Sequence, residues 1–178
     1  MTGPRVLLLP GRGDSGPDHW QTHWERTFPE FERVIQSEWE TPDARDWVQN
    51  LHEAIIRENR PAILVAHSLA CCLVAHWVAF HSGPVKGALL VAPSDVDSPT
   101  FSPGPVGFSP MPLQPLPFTS IVVASTDDER VSVSRSRQFA AAWRSEYVLL
   151  ENRGHIGSAA RLGSWPEGMK FLQKLLQL

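Results

Sequence analysis

Short apolar runs alternate with helical periodicities along the whole chain, and no other feature restricts its fold as strongly. Runs at 5–9, 33–37, 61–66, 85–91, 119–124 and 146–150 read as strands, and those at 63–65, 88–91 and 121–124 are continuously apolar. A strand without a polar face must be covered on both sides, the condition of a parallel sheet between helical layers. Between the runs lie the helical patterns. Trp20, Trp24 and Phe28 recur every four residues within 18–28, as do Trp47, Leu51 and Ile55 within 43–58, so each segment has one apolar stripe. Residues 69–80 are apolar nearly all round, so that helix belongs inside. Two more helices are expected at 133–143 and 165–177, with Pro166 near the first turn of the last. The pattern predicts an α/β fold: a doubly wound three-layer sandwich around a six-stranded, mostly parallel sheet.

Length and charge narrow the partners. The 178 residues suit a single domain spanning 1–178, and a parallel six-stranded core uses most of them. Lys+Arg 16 against Asp+Glu 19 leave a formal charge of -3, with no broad positive field for a phosphate backbone or an anionic bilayer, so neither nucleic acid nor membrane is an expected partner. No apolar run reaches the roughly 18 residues of a membrane span. Residues 1–5 enter directly a short apolar run closed by Pro10-Gly11, which is not a signal sequence, and a cytoplasmic location is expected. Adjacent Cys71 and Cys72 read as reduced thiols. Half of the 16 prolines fall between Pro93 and Pro117, a loop whose Phe101, Phe108, Met111 and Leu113 suggest a stiff coil folded back over the domain.

Ligands of open parallel sheets bind at the carboxyl ends of the strands. Four segments are expected there: 10–16, His67-Ser68, Thr126-Asp127-Asp128 and Gly154-His155. Taken in chain order they supply Ser, Asp and His, the order of a triad built on a nucleophile elbow. Ala66-His67-Ser68-Leu69-Ala70 replaces both glycines of G-x-S-x-G by alanine, which is still small enough for strand and helix to approach. Ser68 reads equally as a helix N-cap. His155, just past the last strand, is placed to act as general base and then general acid. Asp127 and Asp128 both follow the fifth strand, and position does not choose between them. Two other motifs compete. Gly11-x-Gly13-x-x-Gly16 has the form of a nucleotide-binding fingerprint, although Pro17-Asp18 looks like the true helix start. His19 and His23 have zinc-ligand spacing but lack the intervening Glu and a third ligand, so no metal is expected.

Several of these segments together carry a resemblance: Pro10-Gly11 with Asp18-His19-Trp20, Ser68, Val91-Ala92-Pro93-Ser94-Asp95, Ser125-Thr126-Asp127-Asp128, Gly154-His155-Ile156 and Gly163-Ser164-Trp165-Pro166-Glu167-Gly168. The chain is similar, over nearly its whole length, to small serine hydrolases of the retinoblastoma-binding protein 9 and YdeN type, α/β-hydrolases with little or no cap domain. That resemblance implies Ser68 as nucleophile, His155 as base and Asp128 as the acid, because Asp128-Glu129-Arg130-Val131 keeps the family's spacing to an apolar residue, with Glu129 where proline is frequent. It implies an oxyanion hole from the backbone N–H groups of Arg12 and Leu69, and substrate contacts from Gly11, His19, Trp20 and Asp95. The implied partner is a small-molecule ester, thioester or amide, and no cofactor is called for. A non-catalytic interaction module is the rival class. Its pocket-binding motif would need Leu69-Ala70-Cys71, which lacks the acidic residue and lies in a helix expected to be buried.

Overall fold

The computed structural model describes residues 3–178. Its strands are β1 (Arg5–Leu9), β2 (Phe31–Arg33), β3 (Ala62–His67), β4 (Val85–Val91), β5 (Thr119–Ser125) and β6 (Glu146–Leu150). Its α-helices are α1 (Trp20–Thr27), α2 (Ala44–Ile56), α3 (Leu69–Phe80), α4 (Val133–Trp143) and α5 (Pro166–Leu176). The strands form one sheet in the order β2-β1-β3-β4-β5-β6, and every pairing is parallel.

Alternation along each strand builds two cores. Leu7, Leu9, Leu64, Ala66, Leu90 and Val122 join the core that contains the inner faces of α2, α3 and α4. Val6, Leu8, Ile63, Val65, Leu89 and Val123 join the one that contains Trp20 and Trp24 of α1 and Leu172 and Leu175 of α5. Strand β3 is buried at all six positions, as its unbroken apolar run requires. In α3 the residues from Leu69 to Trp77 are all buried, consistent with its lack of a polar face. The tryptophan stripe of α1 also behaves as expected, with Trp20 at 1% exposure and Trp24 at 0%.

Two segments depart from expectation or complete it. The second strand is only three residues long and ends at Arg33 instead of covering 33–37. Phe31 starts it, paired with Val6 and edge-on to Trp24, while Ile35 is 65% exposed. The Val34-Ile35 pair imitates a strand centre, but the chain leaves the sheet edge after the Val34 N–H meets the Leu8 carbonyl. The proline-rich loop runs over the α2–α4 layer without helix or strand, and Phe108, Met111 and Leu116 join the core there. Side chains pin it: His76 Nε2–H donates to the Phe108 carbonyl at 2.7 Å and Trp143 Nε1–H to that of Pro112 at 2.9 Å.

The strand order places the functional crevice. From β1 the chain moves outward to β2, then returns past β1 to β3, so the winding reverses between β1 and β3. At such a switch point the two following loops diverge and leave an open cleft. The loop after β1 begins at Pro10, and the loop after β3 is Ser68 itself.

Candidate active site

Ser68 joins β3 to α3 in one residue. Its backbone stands at φ 59°, ψ -122°, a conformation that costs a non-glycine residue on the order of 1–3 kcal/mol. The reason it is tolerated lies below it. Val91 O accepts the Ser68 N–H at 2.9 Å, and both flanking elements are buried on all sides, so the turn has nowhere to relax. The side chain does not cap the helix. Its Oγ lies 2.7 Å from His155 Nε2 and 2.9 Å from Ser94 Oγ.

His155 stands on a tightly bent loop after β6, where Asn152, Gly154 and Ile156 all have positive φ. The loop is braced from two sides. On one side Asn152 N–H donates to Thr126 Oγ1, Arg153 N–H to Ser125 Oγ and Gly154 N–H to Asp127 Oδ1. On the other, Trp20 Nε1–H donates to the Ile156 carbonyl at 2.8 Å and His67 Nε2 lies 2.9 Å from that of His155. The imidazole then meets Asp128, its Nδ1 2.9 and 2.8 Å from the two carboxylate oxygens. The Asp128 side chain is fully buried and also accepts the Arg130 N–H, whereas that of His155 is 20% exposed. Adjacent aspartates thus have separate tasks: Asp128 meets the ring and Asp127 the backbone that carries it. Hydrogen bonds from Ser125 and Gly154 hold the Asp127 carboxyl below its ordinary range.

The loop after β1 closes the third side. Gly11 is pressed against the elbow: a Cβ there would stand 2.8 Å from the His67 carbonyl oxygen, 2.9 Å from Ser68 Cβ and 3.4 Å from the Leu69 nitrogen. Its role is close approach, which brings the loop after β1 against the Leu69 nitrogen and the Ser68 side chain. The Arg12 side chain donates from Nε to the Glu40 carbonyl at 2.8 Å. A cavity of about 510 Å³ opens at Ser68 and His155, with Arg12, Arg130, Glu40 and Ser102 among its walls. His19 reaches this cavity, but Trp20 and Asp95 do not line it. Trp20 sits in the aromatic core against Trp24 and Trp165 and behind the His155 loop, and Asp95 is tied to Arg135 Nε at 3.1 Å. Sequence reasoning missed Ser94, which lies in the motif Val91-Ala92-Pro93-Ser94-Asp95, and it missed Arg130 and the contact between His67 and His155. None of these could be seen from spacing, since each depends on loops meeting across the sheet end.

The competing motifs have other uses. The third glycine of Gly11-x-Gly13-x-x-Gly16 lies outside α1, whose N-cap is His19, so the loop does not wrap phosphate onto a helix N-terminus. Both ring nitrogens of His19 are engaged within the protein, Nδ1 by the Gln21 N–H and Nε2 by His67, and a zinc pair with His23 is not formed. Leu69 and Cys71 are 1% and 0% exposed, so they present no docking motif.

An all-parallel doubly wound sheet with a serine on a strained strand-to-helix turn at its switch point is the architecture of the α/β-hydrolases. Within that class the chain belongs to the serine hydrolase family, whose profile matches residues 6–174. It is similar to a YdeN-like hydrolase from Pectobacterium atrosepticum, with 31% identity, a TM-score of 0.88 and coverage of 98% of this chain and 91% of the other. The ydeN gene product of B. subtilis has 18% identity, a TM-score of 0.74 and coverage of 98% and 100%. A Bacillus cereus carboxylesterase shares the fold at 16% identity, a TM-score of 0.60 and coverage of 97% and 89%. No curated protein matches the chain. No helix among the described residues is long and apolar enough to cross a membrane.

Proposed function

We propose that this hydrolase cleaves a small ester, thioester or amide through an acyl-enzyme on Ser68. The observation that carries the reading is the continuous row Ser68 Oγ to His155 Nε2 at 2.7 Å and His155 Nδ1 to Asp128 at 2.8 Å. Asp128 accepts from Nδ1, so Nε2 is free to take a proton. As Oγ bonds to the substrate carbonyl carbon, its proton passes to Nε2 and Asp128 stabilises the imidazolium. The oxyanion is met by the Leu69 and Arg12 N–H groups, and one such donor contributes about 3–4 kcal/mol in the transition state. Collapse breaks the bond to the leaving group, which takes the proton from His155. Water then enters, gives its proton to His155, and releases the acid from Ser68 by the same steps in reverse.

The walls of the cavity favour a short substrate with a polar substituent. Arg12 and Arg130 face it together with Asp14 and Glu40, and the proline-rich loop contributes Ser102 and Pro103. Treatment with a fluorophosphonate followed by intact-mass measurement is expected to add one label to the wild type and none to Ser68→Ala. Equal labelling of both would sink the assignment. Within p-nitrophenyl esters, the acetate should show a higher kcat/KM than the dodecanoate, and the opposite order would remove the preference for a short substrate.

A further inference from the structure

Two buried imidazoles have no part in the acyl transfer as just described. His67 closes β3 and His19 caps α1; they are 7% and 4% exposed, with ring centroids 4.6 Å apart. The direction of the hydrogen bonds between them is set from the two ends. At one end the Gln21 N–H points at His19 Nδ1, 3.1 Å away, and a backbone N–H only donates, so that nitrogen carries no proton. At the other end His67 Nε2 lies 2.9 Å from the His155 carbonyl oxygen, which only accepts, so that nitrogen does carry one. A neutral imidazole has one donor and one acceptor. His19 therefore keeps its proton on Nε2 and His67 leaves Nδ1 bare, and these are the two atoms that meet at 3.3 Å. An added proton on His67 would set N–H against N–H at that contact, and one on His19 would do the same against Gln21.

We propose that His19 and His67 are positioning residues: a row of neutral, one-directional imidazoles runs from the start of α1 to the His155 carbonyl and holds the His155 ring in line between Asp128 and Ser68. The inference rests on the Ser68 acyl-transfer reading. It explains why the row must stay neutral. His155 becomes cationic during the reaction, and its ring centroid is 5.1 Å from that of His67. A second cation there would oppose the first at close range and low dielectric. The surroundings enforce neutrality. His67 faces His19 from α1, His155 from the loop after β6 and Arg130 from the loop after β5, and burial with these neighbours holds it well below its ordinary range. His19 faces Arg33 from the end of β2 and is held at about 3 by burial, Arg33 and His155. Two carboxylates, Asp14 and Glu40, share the cavity wall with these rings, but Asp14 is already paired with Arg33 at 2.6 Å. Gly157 packs on the edge of the His67 ring, where its hypothetical Cβ would lie 3.5 Å from Cε1.

The test compares His67→Phe, which fills the site without a donor, with His67→Gln, whose amide N–H can reach the same carbonyl. With p-nitrophenyl acetate as probe, His67→Phe should lower kcat about tenfold or more with KM changed much less, and His67→Gln should stay within about threefold of wild type. A His67→Phe enzyme as fast as wild type overturns the proposal. A readout independent of variant folding is the imidazole nitrogen-15 NMR spectrum of the wild type between pH 5 and 8. Both rings should remain neutral with the proton on Nε2 throughout; titration of either, or a proton on Nδ1, overturns it. Turnover that survives in Ser68→Ala would instead refute the acyl-enzyme reading, and the spectrum would still report on the row.

Discussion

Gly11 and Ser68 show how much one residue's shape decides here. Ser68 needs its positive φ so that Oγ stands clear of the helix, and Gly11 must lack a Cβ for the loop after β1 to reach the Leu69 N–H. Both demands fall within a few ångströms. Gly11→Ala would push a methyl group into backbone and into Ser68 Cβ, neither of which can rotate away, at a cost typical of overpacking, about 1–3 kcal/mol. The expected outcome is a fluorophosphonate labelling rate reduced at least tenfold and a Tm lowered by about 2–10 °C. Gly16→Ala is the control, since nothing lies within 4 Å of its added carbon, and it should leave both measurements unchanged. A Gly11→Ala protein that labels normally would contradict this account. The glycine pattern was visible in the sequence, but its reason was not. A fingerprint reading assigns all three glycines to one ligand, whereas the fold uses the first for contact with the elbow and leaves the third in open space.

At the scale of elements, the loop after β6 is the part on which catalysis is expected to depend. Its strained Ile156, at φ 50° and 0% exposed, is held because β5's trailing residues bind the loop on one side and Trp20 and His67 on the other. Asp127 and Asp128 separate the two jobs of that support, so their amides should behave differently. In Asp127→Asn one oxygen can still accept from Ser125 and Gly154, and kcat is expected to remain within about tenfold. Asp128→Asn places a donor option against Nδ1 and favours the wrong tautomer; a fall on the order of 10³–10⁴ in kcat is expected, in line with the same change in a serine protease triad. Steady-state rates of the two variants decide it, and the reverse order would move the acid role to Asp127. Helices near 69–80 and 133–143 were legible, the first because it is apolar nearly all round and follows a buried strand, and the second from its helical pattern between two strand runs. The second strand was not. It is a short edge strand in which pairing with β1, and not its own apolar content, selects the register.

The whole molecule carries a pH signature from the same buried histidines. An unfolded histidine titrates near 6.5, while folded His19 titrates at about 3 and His67 well below its ordinary range. Between those limits the unfolded chain binds more protons than the folded one, so stability is complete above about 6.5 and falls as the pH drops through that window. The slope is about 1.4 kcal/mol per pH unit for each such proton. Urea midpoints measured from pH 7.5 to 4.5 should therefore decline steadily below about pH 6.5, and His19→Gln should flatten part of the decline. A wild-type midpoint independent of pH over that range would show that the two rings are not held neutral.

By itself the sequence determined the layers, the number of strands and the three residue types at the strand ends, because these follow from periodicity and chain order, which are local properties. Tertiary structure alone decided that Asp127 braces the backbone that carries His155, that Trp20 and Asp95 stand away from the cavity, and that His19 and His67 line it while Ser94 stands beside Ser68. The physical reason is that hydrogen bonding selects on distances of a few tenths of an ångström between loops far apart in the chain. Those distances come from the stacking of the sheet and its helices, and no spacing along the sequence encodes them.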